Sequence, residues 1–155
     1  MTKAIQYWKP LAEAGDCDAQ YRYGTLFALG AGVPKAPATA VEWWLKAANQ
    51  GQYRAQVMLT TAYARQSTVS GSFVRQFQID CRDGCGVDLD LVSAYSWLVV
   101  ARASTPATLA PFQRALAEQM STLGARLTAE EKASAEGRAA GWQPSPTRCT
   151  PRELK

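Results

Sequence analysis

The residues best able to do chemistry in this chain are its four cysteines, Cys17, Cys81, Cys85 and Cys149. A thiolate can attack an electrophile, ligate a soft metal or pair as a disulfide. The first two roles need helpers that the chain lacks. It contains no histidine, so the commonest general base and the commonest nitrogen ligand of zinc are both missing. No serine or cysteine can be activated by an imidazole. Cys81 and Cys85 flank Arg82-Asp83-Gly84, and such a short span with a central glycine suits a small disulfide loop. Two free thiols are a second reading. Half of a zinc site is a third, which would need Cys17 and Cys149 to complete it. A disulfide would imply an oxidising compartment.

The acidic groupings are Asp88 with Asp90 and Glu130 with Glu131. Both stand where helices are expected to begin. A carboxylate there caps free backbone N–H groups and faces the positive end of the helix dipole, which accounts for it without acid–base chemistry. The sequence shows no phosphate loop, nucleophile elbow or metal cluster. These features point to a non-enzymatic protein with no catalytic residues, no cofactor and no metal.

The elements that carry these residues repeat. AVEWWLKAANQG, Ala40 to Gly51, has a weaker copy 36 residues upstream at Ala4 to Gly15 and another 54 downstream from Ala94. Each copy reads as a helix with its apolar residues on one face, such as Ile5, Trp8, Leu11 and Ala12. Pro10 lies inside the first copy, which predicts a bend or a start near Lys9. A second helix follows each glycine turn. Cys17–Leu29 and Tyr53–Ala64 match in register, with Ala19-Gln20 recurring as Ala55-Gln56. Asp16 is placed to cap the first of these, and Gly24 to permit a close helix–helix approach. Helical hairpins in register are the signature of a solenoid.

The third copy is delayed. Val33 should recur at position 69 but does so at Val87, an insertion of 18 residues. The inserted stretch carries Phe73, Phe77 and Ile79, and long loops of this kind are usually functional or mobile. Asp90 to Ala103 is the third first-type helix, and Pro111 to Leu123 follows with Phe112, Leu116, Met120 and Leu123 as its buried stripe. Thr128 to Glu131 forms a capping box for a last, mostly polar helix to about Ala140, suited to closing an array. Trp142 is expected to tuck back, and the tail from Gln143 to be disordered.

These elements together resemble the Sel-one-like repeat (SLR) family, relatives of the tetratricopeptide repeat. The residues that carry the likeness are Ala40, Trp43-Trp44, Ala47-Ala48, Gly51 and Ala55-Gln56. Ala19-Gln20, Tyr23-Gly24 and Gly30 to Val33 carry it in the first unit, and Gly84 to Val87, Ala94, Trp97 and Ala101 in the third. Leu59-Thr60 departs from the family's Leu-Gly, as does Gln66 to Val69 from its Gly-x-Gly-Val. The ending from Leu127 to Pro144 is similar to the closing helix of small bacterial members. The resemblance implies an all-α fold, a short right-handed solenoid over residues 1–142. Its repeats fall at about 4–35, 36–66 and 84–124, with an insertion at 66–85, a capping helix at 128–140 and a tail at 143–155. It also implies a bacterial protein-binding adaptor, with an immunity or secretion-accessory role as the specific version.

The tryptophans Trp8, Trp43, Trp44 and Trp97 recur beside small alanines, so packing between hairpins explains them better than partner binding. The expected binding surface is the inner face of the solenoid, with Gln6, Lys9, Glu42, Lys46, Tyr95 and Ser96. The insertion, with Phe73, Arg75 and Phe77 beside Cys81 and Cys85, is the other candidate surface. Composition fits a folded domain, with 47% apolar and 19% charged residues and a net charge of +4 spread without a basic stripe. Nucleic acid is therefore not an expected partner, and no apolar run is long enough to span a bilayer. The expected partner is another protein, bound by a monomer. A periplasmic or otherwise extracytoplasmic location is expected, with the cytoplasm as the alternative. The competing function is a cell-wall or polysaccharide-associated accessory protein, its aromatic rings contacting sugars.

Overall fold

The computed structural model describes residues 2–66, 79–145 and 149. They form seven helices, α1 Lys3–Glu13, α2 Cys17–Leu29, α3 Pro37–Asn49, α4 Tyr53–Tyr63, α5 Leu91–Ser104, α6 Ala110–Gly124 and α7 Ala129–Gly141. Helices α1/α2, α3/α4 and α5/α6 are hairpins, and successive hairpins stack through α2 on α3 and α4 on α5. The result is an all-α repeat solenoid. None of its helices is long and apolar enough to cross a membrane.

Local chemistry explains the boundaries. Asp16 Oδ1 accepts from the Ala19 N–H at 2.8 Å to start α2, and Gln52 Oε1 accepts from Ala55 N–H at 3.0 Å to start α4. Asp90 does the same for α5 through Ser93 N–H at 2.9 Å. Thr128 and Glu131 form the reciprocal capping box of α7. Helix α1 begins at Lys3 and runs through Pro10, so the proline does not delay its start to Lys9. Gly15 and Gly51, 36 apart, turn the first two hairpins with φ of 96° and 93°, a conformation that strains any other residue.

The core is built on the repeated alanines. Ala40, Ala47, Ala48, Ala94 and Ala101 are all fully covered, which lets Trp44, Met58, Leu59 and Leu98 pack between hairpins. Trp44 is itself 0% exposed. Gly24 makes its expected close approach. A Cβ there would lie 3.0 Å from Ala40 O, from Trp43 Cβ and from Trp44 Cδ1. Of the α6 stripe, Phe112, Leu116 and Leu123 are buried and Met120 is half-buried. Only Ala135 of α7 is buried, as befits a closing helix.

A glutamine ties each hairpin internally. Gln20 Nε2 donates to Ala12 O at 3.3 Å and Gln56 Nε2 to Ala48 O at 3.0 Å. Gln113 Nε2 donates to Arg102 O at 3.1 Å. Ala12, Ala48 and Arg102 each stand eight residues after the repeat alanines Ala4, Ala40 and Ala94. Gln113 is a repeat element that the longer α5–α6 turn hides from sequence register.

The two ends of the insertion meet. Cys81 N–H donates to Gln66 O at 2.9 Å. Beyond it the repeat resumes unchanged. Ala36 N–H donates to Phe27 O at 2.9 Å, and Asp90 N–H donates to Tyr63 O at 3.0 Å. Gly32 backs onto Thr2, and Gly86 onto Ala38, each so closely that a Cβ would meet the neighbour at 2.5 Å.

After α7 the described residues are 142–145 and 149, and the rest of the expected 143–155 tail lies outside them. Trp142 stands edge-on to Trp97 of α5, with ring centroids 6.5 Å apart. Ser145 N–H donates to Asn49 O at 2.7 Å and Cys149 N–H to Gln50 O at 2.9 Å. Cys149 is bonded to Cys17 across 132 residues.

Candidate interaction surface and cysteine sites

Helix α3 presents the clearest open stretch of the predicted surface. Glu42 and Lys46 are exposed, one turn apart. The Lys46 ammonium sits 4.1 Å from the Trp43 ring centre, so the ring holds the charge while leaving it in solvent. Gln6 occupies the same place on α1 as Glu42 does on α3, and it too is exposed. Lys9 is half-buried, with its ammonium 3.8 Å from Glu13 in a solvent-facing pair. Arg22 covers the Trp8 ring at 4.8 Å from its centre.

Helix α5 does not continue this surface. Tyr95 is 5% exposed, and a Cβ on Gly124 would lie 3.2 Å from its Cε2. The expectation that Tyr95 faces a partner is therefore corrected. Its register mates Ile5 and Val41 are also buried, and that register was the available signal. Burial, with Glu136 adding to it, raises the Tyr95 hydroxyl pKa. Ser96, the register mate of Glu42, has its hydroxyl 2.8 Å from Val92 O and 3.1 Å from Ala135 O of α7. The closing helix thus occupies the third hairpin's share of the face.

Between α2 and the α3–α4 turn lies a buried polar seam. Gln52 Nε2 donates to Asp18 Oδ1 at 2.8 Å, and Gln50 Nε2 to Gln20 Oε1 at 2.8 Å. Asp18, Gln20 and Gln52 are all buried, and these bonds satisfy groups that would otherwise be costly to cover. The seam joins residues thirty and thirty-four apart, which periodicity along one helix does not encode.

Cys81 and Cys85 form the expected disulfide, with Cα atoms 5.1 Å apart and both residues buried. Cys17 and Cys149 form a second bridge that was not anticipated, although parity among four cysteines was its signal. Asp18 lies within 4.8 Å of both sulfurs. Bridged sulfurs cannot act as thiolate ligands, so the trio forms a covalent clasp. Phe73, Arg75 and Phe77 of the insertion lie outside the described residues.

Beside the insertion's base is an open depression of about 550 Å³, lined by Tyr63, Arg65, Asp83, Asp88 and Asp90 among others. Asp90 there is occupied as the α5 cap. Its burial opposes ionisation, but hydrogen bonds from Ser93 outweigh that and lower its pKa. Asp80, hydrogen-bonded by Arg82, is lowered to about 2. Among the described residues, the depression holds carboxylates and one guanidinium.

The Sel1 repeat family model matches residues 1–16 and 17–52. A protective antigen of uropathogenic Escherichia coli with an SLR fold superposes at a TM-score of 0.68, with 28% identity over 90% of this chain. Residues 1–52 match the Sel1 repeat, and the chain as a whole is similar to a protein with an SLR fold. The chain spans 25% of the length of that antigen. No curated protein matches the sequence. The family model covers only the first unit and the start of the second. The rest of the chain is similar to the SLR fold by its register and its superposition. Sel1-like repeats are in general protein-interaction modules and typically non-catalytic scaffolds.

Proposed function

We propose that this protein is a non-enzymatic adaptor that binds another protein through the outward stripe of α1 and α3. The observation that carries this reading is the contrast in register. Gln6 and Glu42 are exposed, while their counterpart Ser96 is covered by α7. The open stripe carries both signs of charge, Glu42 and Lys46, on a rigid scaffold. Such a surface favours a complementary protein face. The specific version is an immunity or secretion-accessory role in an oxidising, extracytoplasmic compartment, which the two disulfides support. Residues 67–78 would supply a second contact region.

A polysaccharide-binding role has less support. Sugar stacking needs free ring faces, and the Trp43 and Trp8 rings carry Lys46 and Arg22.

The test is affinity capture from native extract with wild-type protein and a Glu42→Lys/Lys46→Glu variant. One stoichiometric protein partner captured by the wild type and lost with the charge swap is the expected result. Equal capture by both would sink the stripe, and a parallel variant lacking residues 67–78 would then test the insertion. Retention on isolated cell wall without a protein partner would favour the polysaccharide reading.

A further inference from the structure

Each hairpin after the first is seated by one face of its leading helix, and the same face recurs on α1 without a cover. On α3 it is Ala40, Trp43, Trp44 and Ala47, packed on α2, and on α5 it is Ala94, Trp97, Leu98 and Ala101, packed on α4. In both, the two alanines and the second large side chain are 0% exposed. The register mates on α1 are Ala4, Tyr7, Trp8 and Leu11, which share one side of the helix by their spacing. Here Ala4 is exposed, Tyr7 is 56% exposed, and Trp8 and Leu11 are half-buried. Trp43 meets Tyr23 of α2 edge-on at 5.1 Å, whereas Tyr7 stands edge-on to its own neighbour Trp8 at 4.7 Å. An open aromatic beside a small residue on a rigid helix has the make-up of a contact surface. Charge marks its edges. Lys3 lies one turn before Tyr7, and Arg22 of α2 covers the Trp8 ring. The one carboxylate of α1, Glu13, pairs with Lys9 on another side of the helix.

We propose that this face of α1 docks a helix of another polypeptide, of the same kind as α2 and α4, so that the series of junctions α2–α3 and α4–α5 continues outward. The two covered junctions state what that helix must carry. Where the leading helix offers Trp44, the helix before it offers Gly24, whose Cβ would lie 3.0 Å from the ring. Where it offers the smaller Leu98, the helix before it offers Thr60. Trp8 is a tryptophan, so the docking helix presents a glycine to it. Lys3 and Arg22 select acidic side chains at its edges. A second copy of this chain does not meet these terms. Among the described helices of that kind, α6 alone has no hairpin stacked beyond it. Counted from Gln56 and Gln113, the register of Thr60 falls on α6 at Ala117, and Arg114 stands exposed one turn before it. That guanidinium would bring a third cation to the face. The face is separate from the stripe of Gln6, Glu42 and Lys46, and neither depends on the other.

The test titrates the full oxidised chain into a fluorescein-labelled, stapled peptide of residues 17–29 carrying Cys17→Ser, the chain's own α2 helix, and reads anisotropy. Saturable binding is expected, about threefold tighter at low salt when the peptide carries Arg22→Glu. Gly24→Leu in the peptide should weaken binding about tenfold. Leucine favours helix, so that loss reports the contact. Tyr7→Glu in the protein should weaken it as much, with unchanged helical signal, while Glu42→Lys/Lys46→Glu binds as the wild type does. A chain extended by a second copy of residues 1–36 ahead of residue 1 checks the fit without a binding equilibrium. There, Ala4→Arg in the original unit should lower the melting temperature by about 5 °C, while the same change leaves that of the parent chain where it was. Absence of saturable binding overturns the proposal, as does binding indifferent to Tyr7→Glu or Gly24→Leu. Equal tolerance of Ala4→Arg in the two chains also overturns it. So does a concentration-dependent dimer dissolved by Tyr7→Glu, because the occupant would then be a second copy.

Discussion

The junction between the first and second hairpins is made by a missing side chain, and that between the second and third by an added hydroxyl. At the first, Gly24 lets α2 come within contact of Ala40 O and the Trp43 and Trp44 side chains. At the second, the register mate of Gly24 is Thr60. Its hydroxyl lies 3.2 Å from Ala94 O, the carbonyl in register with Ala40 O. The partner side chains change in the opposite sense, with Trp44 at the first junction and Leu98 at the second, both fully buried. Volume lost from the helix that follows is returned by the helix before it. The repeat thus requires a filled junction rather than a glycine, and two sequences fill it.

That comparison is broken most severely at its largest residue. Trp44→Ala should cost about 3–5 kcal/mol in urea unfolding, through lost burial and a cavity. Exchanging the two solutions comes next. Gly24→Thr should destabilise by about 1–3 kcal/mol through overpacking. Adding Trp44→Leu should recover part of that loss, giving a favourable coupling in a double-mutant cycle. Strict additivity would mean that the two positions do not share the junction. Thr60→Val keeps the shape and removes the hydroxyl, and should cost about 1 kcal/mol. The smallest effect is at the start of the third hairpin. Asp90→Ala should lower stability by about 1 kcal/mol near neutral pH through loss of the α5 cap. Asp90 has a lowered pKa in the folded protein. Its contribution is therefore complete above the ordinary carboxylate value of 3.8 and fades as pH falls through the lowered folded value. Unfolding curves of the variant and the wild type should accordingly converge in acid.

Register made most of this fold readable. It located the three hairpins, the Asp16 and Thr128 caps, the tight approach at Gly24 and the insertion before Gly84. It was less informative where chemistry overrides pattern. Tyr95 has a polar tip that suggests the surface, yet Ile5 and Val41 at the same register point to the core. Gln113 was invisible because the α5–α6 connection is longer than the two before it. Cys149 lies in a stretch whose composition favours disorder, and composition does not register its bond to Cys17. The Asp18–Gln52 and Gln20–Gln50 contacts depend on how hairpins stack, which periodicity along one helix does not encode. Of the candidate surface, Gln6, Lys9, Glu42 and Lys46 lie on α1 and α3, while α7 takes the α5 share.

An open repeat array can fray from either end, because each hairpin is held only by its neighbours. The bond from Cys17 to Cys149 ties the start of the second helix to the chain beyond the last. Closing so long a loop removes about 5 kcal/mol of unfolded-chain entropy in the loop-closure model, against about 2 kcal/mol for a four-residue ring. With that bond in place, the helices from α2 onward lie inside one closed loop, while α1, which precedes Cys17, stays outside it. The oxidised protein should melt in one cooperative step, and its reduced form should unzip hairpin by hairpin.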